Sequence, residues 1–186
     1  EISLGLVGSE MCIRDRYIAV SLDGYIATSD GGVEWLHQFQ ISENEDYGYK
    51  ELYQSIDTVL MGGRTYRDII GFGCEWSYKD KVTYIVSRNE VNLTTTENVH
   101  FITNHIMDNV QRLKEQEGKD IWLVGGGELV SMLINADLID EMQLCYLPIV
   151  LGQGISLFPN KPKETVWKLL DSRSFDSGAI LISYSK

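Results

Sequence analysis

Gly125, Gly126 and Gly127 follow the short apolar run Ile121-Trp122-Leu123-Val124 and precede a stretch with helical spacing. In that stretch Leu129, Leu133 and Ala136 share one face, with Val130 and Ile134 beside it. A strand, a glycine turn and a helix in that order make an anion site. Without side chains a ligand can approach the backbone closely. The first N–H groups of the helix have no internal partner and carry partial positive charge. A pyrophosphate meets both needs. A tight strand-to-helix turn that binds nothing would need one glycine, so three in a row favour a ligand. The spacing does not fit GxGxxG, which separates this turn from the ordinary dinucleotide fingerprint.

Two more groups suited to anions close apolar runs. Gly62-Gly63-Arg64-Thr65 follows the run that begins at Thr58, and Ser87-Arg88 follows Val82 to Val86. Alone, an arginine after a strand is a surface charge and a Gly-Gly pair is a turn. Combined with the three glycines they describe a cradle for a phosphorylated nucleotide. The pyrophosphate takes the glycines and Thr65, while Arg64 and Arg88 supply local positive charge.

A possible proton-handling group comes earlier. Ser42-x-x-Glu45 is a capping-box pattern, and the helix it predicts turns Tyr49, Leu52, Tyr53 and Ile56 inward. Asp46 then falls on the buried stripe in the first turn. It either complements the helix dipole or acts as a pocket acid whose pKa is raised by desolvation. Residues 28–40 have little periodicity and two aromatics, Trp35 and Phe39. They form either a loop over a site or a surface connection anchored by Trp35.

For these groups to meet, strands must run side by side with helices between them. Tyr17 to Leu22 reads as a strand, then Asp23-Gly24 as a turn and Tyr25 to Ala27 as a second extended piece. Thr58 to Gly62, Val82 to Val86, Val99 to Thr103 and Met142 to Leu151 read as strands, the last with Pro148 suggesting an edge or a bulge. A helix is expected from about Ile106 to Glu117, stopped by Gly118. Val166 to Phe175 and Ala179 to Tyr184 flank Asp176-Ser177-Gly178 as a hairpin. Alternating strands and helices predict an α/β fold with a mostly parallel sheet covered on both faces. In such sheets ligands sit beyond the carboxyl ends of the strands, where all three anion groups fall.

At 186 residues the length suits one domain with a sizeable core. The net charge of −11 argues against a general nucleic-acid or membrane surface. No apolar run is long enough to cross a membrane, and no secretory signal is visible. Cys12, Cys74 and Cys145 show no paired spacing, as expected for free or buried thiols in a reducing cytoplasm. His37, His100 and His105 are scattered, so no zinc-like cluster is expected.

Residues 1–16 look foreign to the rest. LVGSEMCIRDR, Leu6 to Arg16, resembles the conceptual translation of a sequencing-library adapter. The expected organisation is therefore an artefact over 1–16 and a single domain over 17–186, with residues 1–16 contributing little to the site.

YIAVSLDGYIA, DTVLMGGRTY, VTYIVSR, IWLVGGGELV and LIDEMQLCYLPIVLGQGISLF together resemble the dihydrofolate-reductase-like superfamily. The last two are most similar to the branch containing the C-terminal reductase domain of bacterial riboflavin-biosynthesis deaminase–reductase proteins. The resemblance implies a three-layer α/β/α sandwich with a central mixed, mostly parallel sheet of about eight strands and a C-terminal antiparallel hairpin. It implies NADPH as hydride donor. Carried over by motif, Gly62, Gly63, Arg64 and Thr65 meet the cofactor phosphates, and Ser87 and Arg88 the adenosine 2′-phosphate. Gly125, Gly126 and Gly127 lie under the pyrophosphate and nicotinamide, with Glu128 starting the helix. The Ala19 backbone and the Ile26 side chain border the nicotinamide. Trp35, Asp46 and Tyr49 fall on the substrate side, Asp46 at the family's proton-handling position. A cis peptide between Gly125 and Gly126 is also expected.

The chain departs from the folate reductases where Gly63 intervenes before Arg64, and where only Lys79 and Lys81 stand near the place of the folate-binding arginine. It departs from the riboflavin-pathway domain where RTYRDIIGFG replaces an acidic, proline-rich substrate motif. The resulting expectation is a cytoplasmic, homodimeric, NADPH-dependent reductase of a small heterocycle, resembling 5-amino-6-(5-phosphoribosylamino)uracil reductase. The alternatives are a true dihydrofolate reductase or a nucleotide-binding module without catalysis.

Overall fold

The computed structural model describes residues 13–39, 46–71, 73, 75–88 and 97–186. Along the described chain run β1 (Ile13–Ser21), β2 (Tyr25–Ala27), a 3₁₀ turn (Glu34–Gln38), α1 (Tyr49–Ser55), β3 (Ile56–Gly62) and α2 (Gly63–Gly71). Then follow β4 (Val82–Val86), β5 (Val99–Ile102), α3 (Ile106–Lys114), β6 (Asp120–Gly125) and α4 (Gly127–Asn135). The chain closes with β7 (Glu141–Leu147), β8 (Ile155–Ser156), β9 (Lys168–Ser174) and β10 (Ile180–Ser185).

Eight strands form one sheet in the order β5-β4-β3-β6-β1-β7-β10-β9, while β2 and β8 make a separate two-stranded sheet. The pairs from β5 through β7 are parallel, and β10 runs antiparallel to both β7 and β9. β6 inserts between β3 and β1. The ends of β3 and β6 therefore lie side by side although β4 and β5 separate them in sequence.

The period-2 alternation of each strand divides the core into faces. On one face Val20, Leu60, Ile121, Leu123, Met142 and Leu144 pack with Val110 and Leu113 of α3 and Leu129, Val130, Leu133 and Ile134 of α4. On the other, Val59, Met61, Ile85 and Trp122 pack with Leu52 of α1, Tyr66 of α2 and Tyr78. A third cluster on this second face holds Trp35, Tyr47, Cys145, Leu147 and Leu181. Both faces are covered, which explains the continuous apolar runs of β3 and β6.

Several boundaries differ from expectation. β7 ends at Leu147, because Pro148 has no N–H to continue the ladder. It is an interior strand between β1 and β10, so Pro148 marks an end and not an edge. Ile56 opens β3 instead of closing the preceding helix, and Ala136 is exposed just beyond α4. The capping box Ser42 to Glu45 lies outside the described residues, and so do residues 1–12. Residues 13–16 open β1. There Ile13 is fully buried opposite Ile121, and its N–H donates to Asp140 Oδ2 at 2.8 Å.

Candidate functional site

The three anion-suited groups converge at one rim. Gly62 ends β3, Gly125 ends β6, and α2 and α4 start directly after them. A Cβ built on Gly126 would stand 3.4 Å from Gly62 Cα and 3.5 Å from Gly62 N. One built on Gly63 would stand 2.8 Å from Ser87 Oγ, which brings the end of β4 to the same rim. The Thr65 hydroxyl is 3.9 Å from the Cβ position of Gly125 and 3.7 Å from that of Gly126. Backbone thus faces backbone, with one hydroxyl beside it. α4 begins at Gly126 without a side-chain cap, leaving its first N–H groups available to an anion.

Positive φ values of 155° at Gly125 and 101° at Gly126 let the chain reverse here. The expected cis peptide is absent, since all described peptide bonds are trans. Two glycines make the turn with trans bonds and avoid the roughly 3–4 kcal/mol of a non-proline cis bond. Arg64 and Arg88 are exposed, and neither makes an ion pair among the described residues. Glu128, in the first turn of α4, is exposed as well.

Most of the expected substrate-side residues gather on the second face, around β1. Trp35 is buried in the third cluster, against which Tyr17 and Ala19 of β1 pack. Tyr49 lies 6.0 Å from Tyr17 and 6.0 Å from Trp122, ring centre to ring centre. The ring contacts continue from Trp122 to Tyr78 at 5.7 Å and from Tyr78 to Trp76 at 5.2 Å. The indole N–H groups of Trp35, Trp76 and Trp122 are buried without a partner among the described residues. Ile26 packs on the opposite face, with the α3 and α4 cluster, and so is not grouped with Ala19.

Asp46 differs from expectation in place and in charge. It precedes α1, outside the helix. Its Oδ1 accepts the Gly48 N–H at 3.0 Å and its Oδ2 the Lys50 N–H at 2.9 Å. The Lys50 N–H, with help from Gly48, outweighs desolvation and holds the carboxyl below the ordinary aspartate range. The raised pKa expected from Tyr49 and Tyr53 is therefore corrected: backbone donors, not aromatic rings, dominate its surroundings. The Tyr17 hydroxyl donates to Tyr47 O at 2.8 Å and to Asp46 O at 3.1 Å. Burial pushes the Tyr17 phenol far above its usual range, so it stays a donor.

No local motif marks Tyr17 or Trp122, and strand parity is the signal that points to them. Tyr17 is two residues from Ala19, and Trp122 two from Val124, so each pair shares a face. Among the described residues no group of three His, Cys, Asp or Glu could hold a metal ion, and no helix is long and apolar enough to cross a membrane.

Strand order, the two-sided sheet and the glycine rim define a dihydrofolate-reductase-like α/β domain. The dihydrofolate reductase of Enterococcus faecalis, complexed with NADP(H) and RAB-propyl, superposes with a TM-score of 0.64 at 17% identity, over 95% of this chain and 96% of that one. More narrowly, the chain belongs to the RibD C-terminal domain family, which residues 17–181 match. It is 38% identical over 159 residues to the uncharacterized protein YwjB of Bacillus subtilis (strain 168), covering 86% of this chain and 90% of YwjB. A Shewanella sp. PV-4 protein with a proposed role in riboflavin biosynthesis superposes with a TM-score of 0.81 at 29% identity, over 94% of this chain and 98% of that one. The Thermotoga maritima deaminase and 5-amino-6-(5-phosphoribosylamino)uracil reductase gives 0.68 at 15% identity, over 95% of this chain and 56% of that one.

Proposed function

We propose that this protein is an NADPH-dependent reductase of a small heterocycle, of the type of the riboflavin-pathway aminouracil reductases. The carrying observation is the convergence of Gly62, Gly126 and Ser87 at adjacent strand ends beside the uncapped start of α4. That rim fits a cofactor that brings phosphates to backbone N–H groups. When bound, NADPH supplies the hydride.

The chain's own residues hold and orient the two reactants. Backbone at Gly62, Gly63 and Gly125 to Gly127, with the Thr65 hydroxyl, takes the phosphates. Arg64, Ser87 and Arg88 take the 2′-phosphate, the arginines being free of competing carboxylates among the described residues. The Ala19 backbone borders the nicotinamide, with Ile26 behind it on the other face. Trp35, Tyr17 and Tyr49 wall the substrate side and keep water out. Asp46, ionised at neutral pH, accepts a hydrogen bond from a substrate N–H, and the proton that completes reduction comes from water or from the substrate.

The proposed unit is a cytoplasmic homodimer. β7, overlapping the Met142 to Leu151 run, is interior, so strand pairing between copies falls to an edge. β9 is the better edge, because it is exposed throughout and carries Leu169 and Leu170 at 55% and 50% exposure. Sedimentation tests the dimer. The reaction is tested by following NADPH oxidation against aminopyrimidines, pterins and quinones. Turnover confined to aminopyrimidines supports this reading, and saturable NADPH binding without turnover of any of them supports a nucleotide-binding module.

A further inference from the structure

The segment from Pro148 to Pro159 is stitched along its length to the β1–β2 region. Leu22 N donates to Ile149 O at 2.8 Å, and Leu157 N to Gly24 O at 2.9 Å. Between them Ile155 and Ser156 pair with Ala27 and Tyr25. Gly154 presses on the Ala27 carbonyl where no side chain could fit. At its far end the segment meets the glycine rim, since a Cβ on Gly127 would stand 2.5 Å from Pro159 Cγ. This segment is therefore one wall of the rim and fixes the room above the start of α4.

Its near end is held by one side chain. The Asp23 carboxylate accepts the Leu151 N–H at 3.1 Å, the Gly152 N–H at 2.7 Å and the Ser21 hydroxyl at 2.6 Å. Ser21, fully buried, accepts the Tyr25 N–H at 2.9 Å, so the start of β2 joins the same network. Only an ionised carboxylate offers acceptors to all three donors at once. Those bonds in turn lower the Asp23 pKa, the Ser21 hydroxyl contributing most, so the group is charged throughout the neutral range.

We propose that Asp23 is a positioning residue, which fastens segment 148–159 to the β1–β2 turn and thereby sets Pro159 against Gly127 and the nicotinamide end of the cofactor site. The role rests on the cofactor reading above. Asp23 touches neither reactant. Its effect reaches the site through β2 and the segment, and it should be felt at the β6–α4 rim and not at Arg64, which follows β3, or at Ser87 and Arg88, which follow β4 beyond it.

Two ligands separate these ends. NADPH uses the whole rim, whereas adenosine 2′,5′-bisphosphate has the adenosine phosphates and no nicotinamide. In full-length protein, Asp23→Ala and Asp23→Asn should raise the Kd for NADPH by about tenfold, the scale of losing hydrogen bonds to a charged acceptor. The Kd for the bisphosphate should change by less than about twofold. Asparagine fails with alanine because its NH₂ faces an N–H. Ser21→Ala, which leaves both bonds to the segment, should fall between these variants and wild type. Loss of both affinities in proportion, or of neither, would overturn the positioning role, because general destabilisation does not distinguish the two ligands. Wild-type protein that binds neither ligand would overturn the cofactor reading first, and the role of Asp23 with it.

Discussion

Gly126 faces Gly62 across the ends of two adjacent parallel strands, so closely that a Cβ on Gly126 would stand 3.4 Å from the Gly62 Cα. A Cβ there would sit at ordinary van der Waals distance, so it is the φ of 101° at Gly126 that strains any larger residue. Gly126→Ala should cost about 1–3 kcal/mol of stability and raise the NADPH Kd by at least about tenfold. Gly71 is the control, exposed at the end of α2 with nothing near its Cβ position. Gly71→Ala should be neutral or stabilising by up to about 1 kcal/mol. Urea midpoints and ligand titrations measure both.

Arg64 and Arg88 are expected to choose between cofactors. Charge-assisted bonds to the 2′-phosphate contribute roughly 1.5–3 kcal/mol each. The double variant Arg64→Ala/Arg88→Ala should therefore weaken NADPH binding far more than NADH binding. Equal losses for the two cofactors would remove the assignment.

Asp46 makes a prediction in pH. Its folded pKa is lowered, chiefly by the Lys50 N–H, so its contribution is present above the unfolded pKa of about 3.9 and lost as pH falls through the folded value. Asp46→Asn should flatten the acid side of the stability curve below about pH 4. Turnover should fall by less than about tenfold, whereas loss of a general acid costs about a hundredfold or more. A hundredfold loss with the wild-type NADPH Kd would restore Asp46 as the proton donor.

The parts of this site that could be read from sequence are those determined locally. Gly125 to Gly127, Gly62 to Thr65 and Ser87 announced themselves as strand ends because each follows an apolar run, and α/β topology brings such ends to one rim. Asp46 was misplaced because an Asx turn to Gly48 starts the helix later than the capping box implied. Ile26 packs with the α3 and α4 cluster and Ala19 with the other, a division that depends on β2 joining β8 in a small second sheet. The bonds of Tyr17 to Tyr47 and of Asp23 to Leu151 span 30 and 128 residues, so no local pattern encodes them. Pro148 carried a true signal, an end to hydrogen bonding, that a strand end satisfies as well as an edge does.

Tyr17→Phe tests one of those long-range bonds. It strips the donor from the Tyr47 and Asp46 carbonyls and should cost about 1–3 kcal/mol of stability. NADPH affinity should stay within about twofold, because the hydroxyl faces the α1 approach and not the glycine rim. Chemical unfolding and a cofactor titration on the same preparation give both numbers.

Direct titration tests whether the rim of Gly62, Ser87 and Gly126 holds NADPH. Nicotinamide fluorescence excited by energy transfer from the protein's tryptophans, followed as NADPH is added to the full-length protein, reads binding without requiring a substrate. The signal should saturate and be competed by adenosine 2′,5′-bisphosphate, with NADPH bound at least about tenfold more tightly than NADH. No saturable signal with NADPH, or equal affinity for the two cofactors, would rule out this rim as an NADPH site.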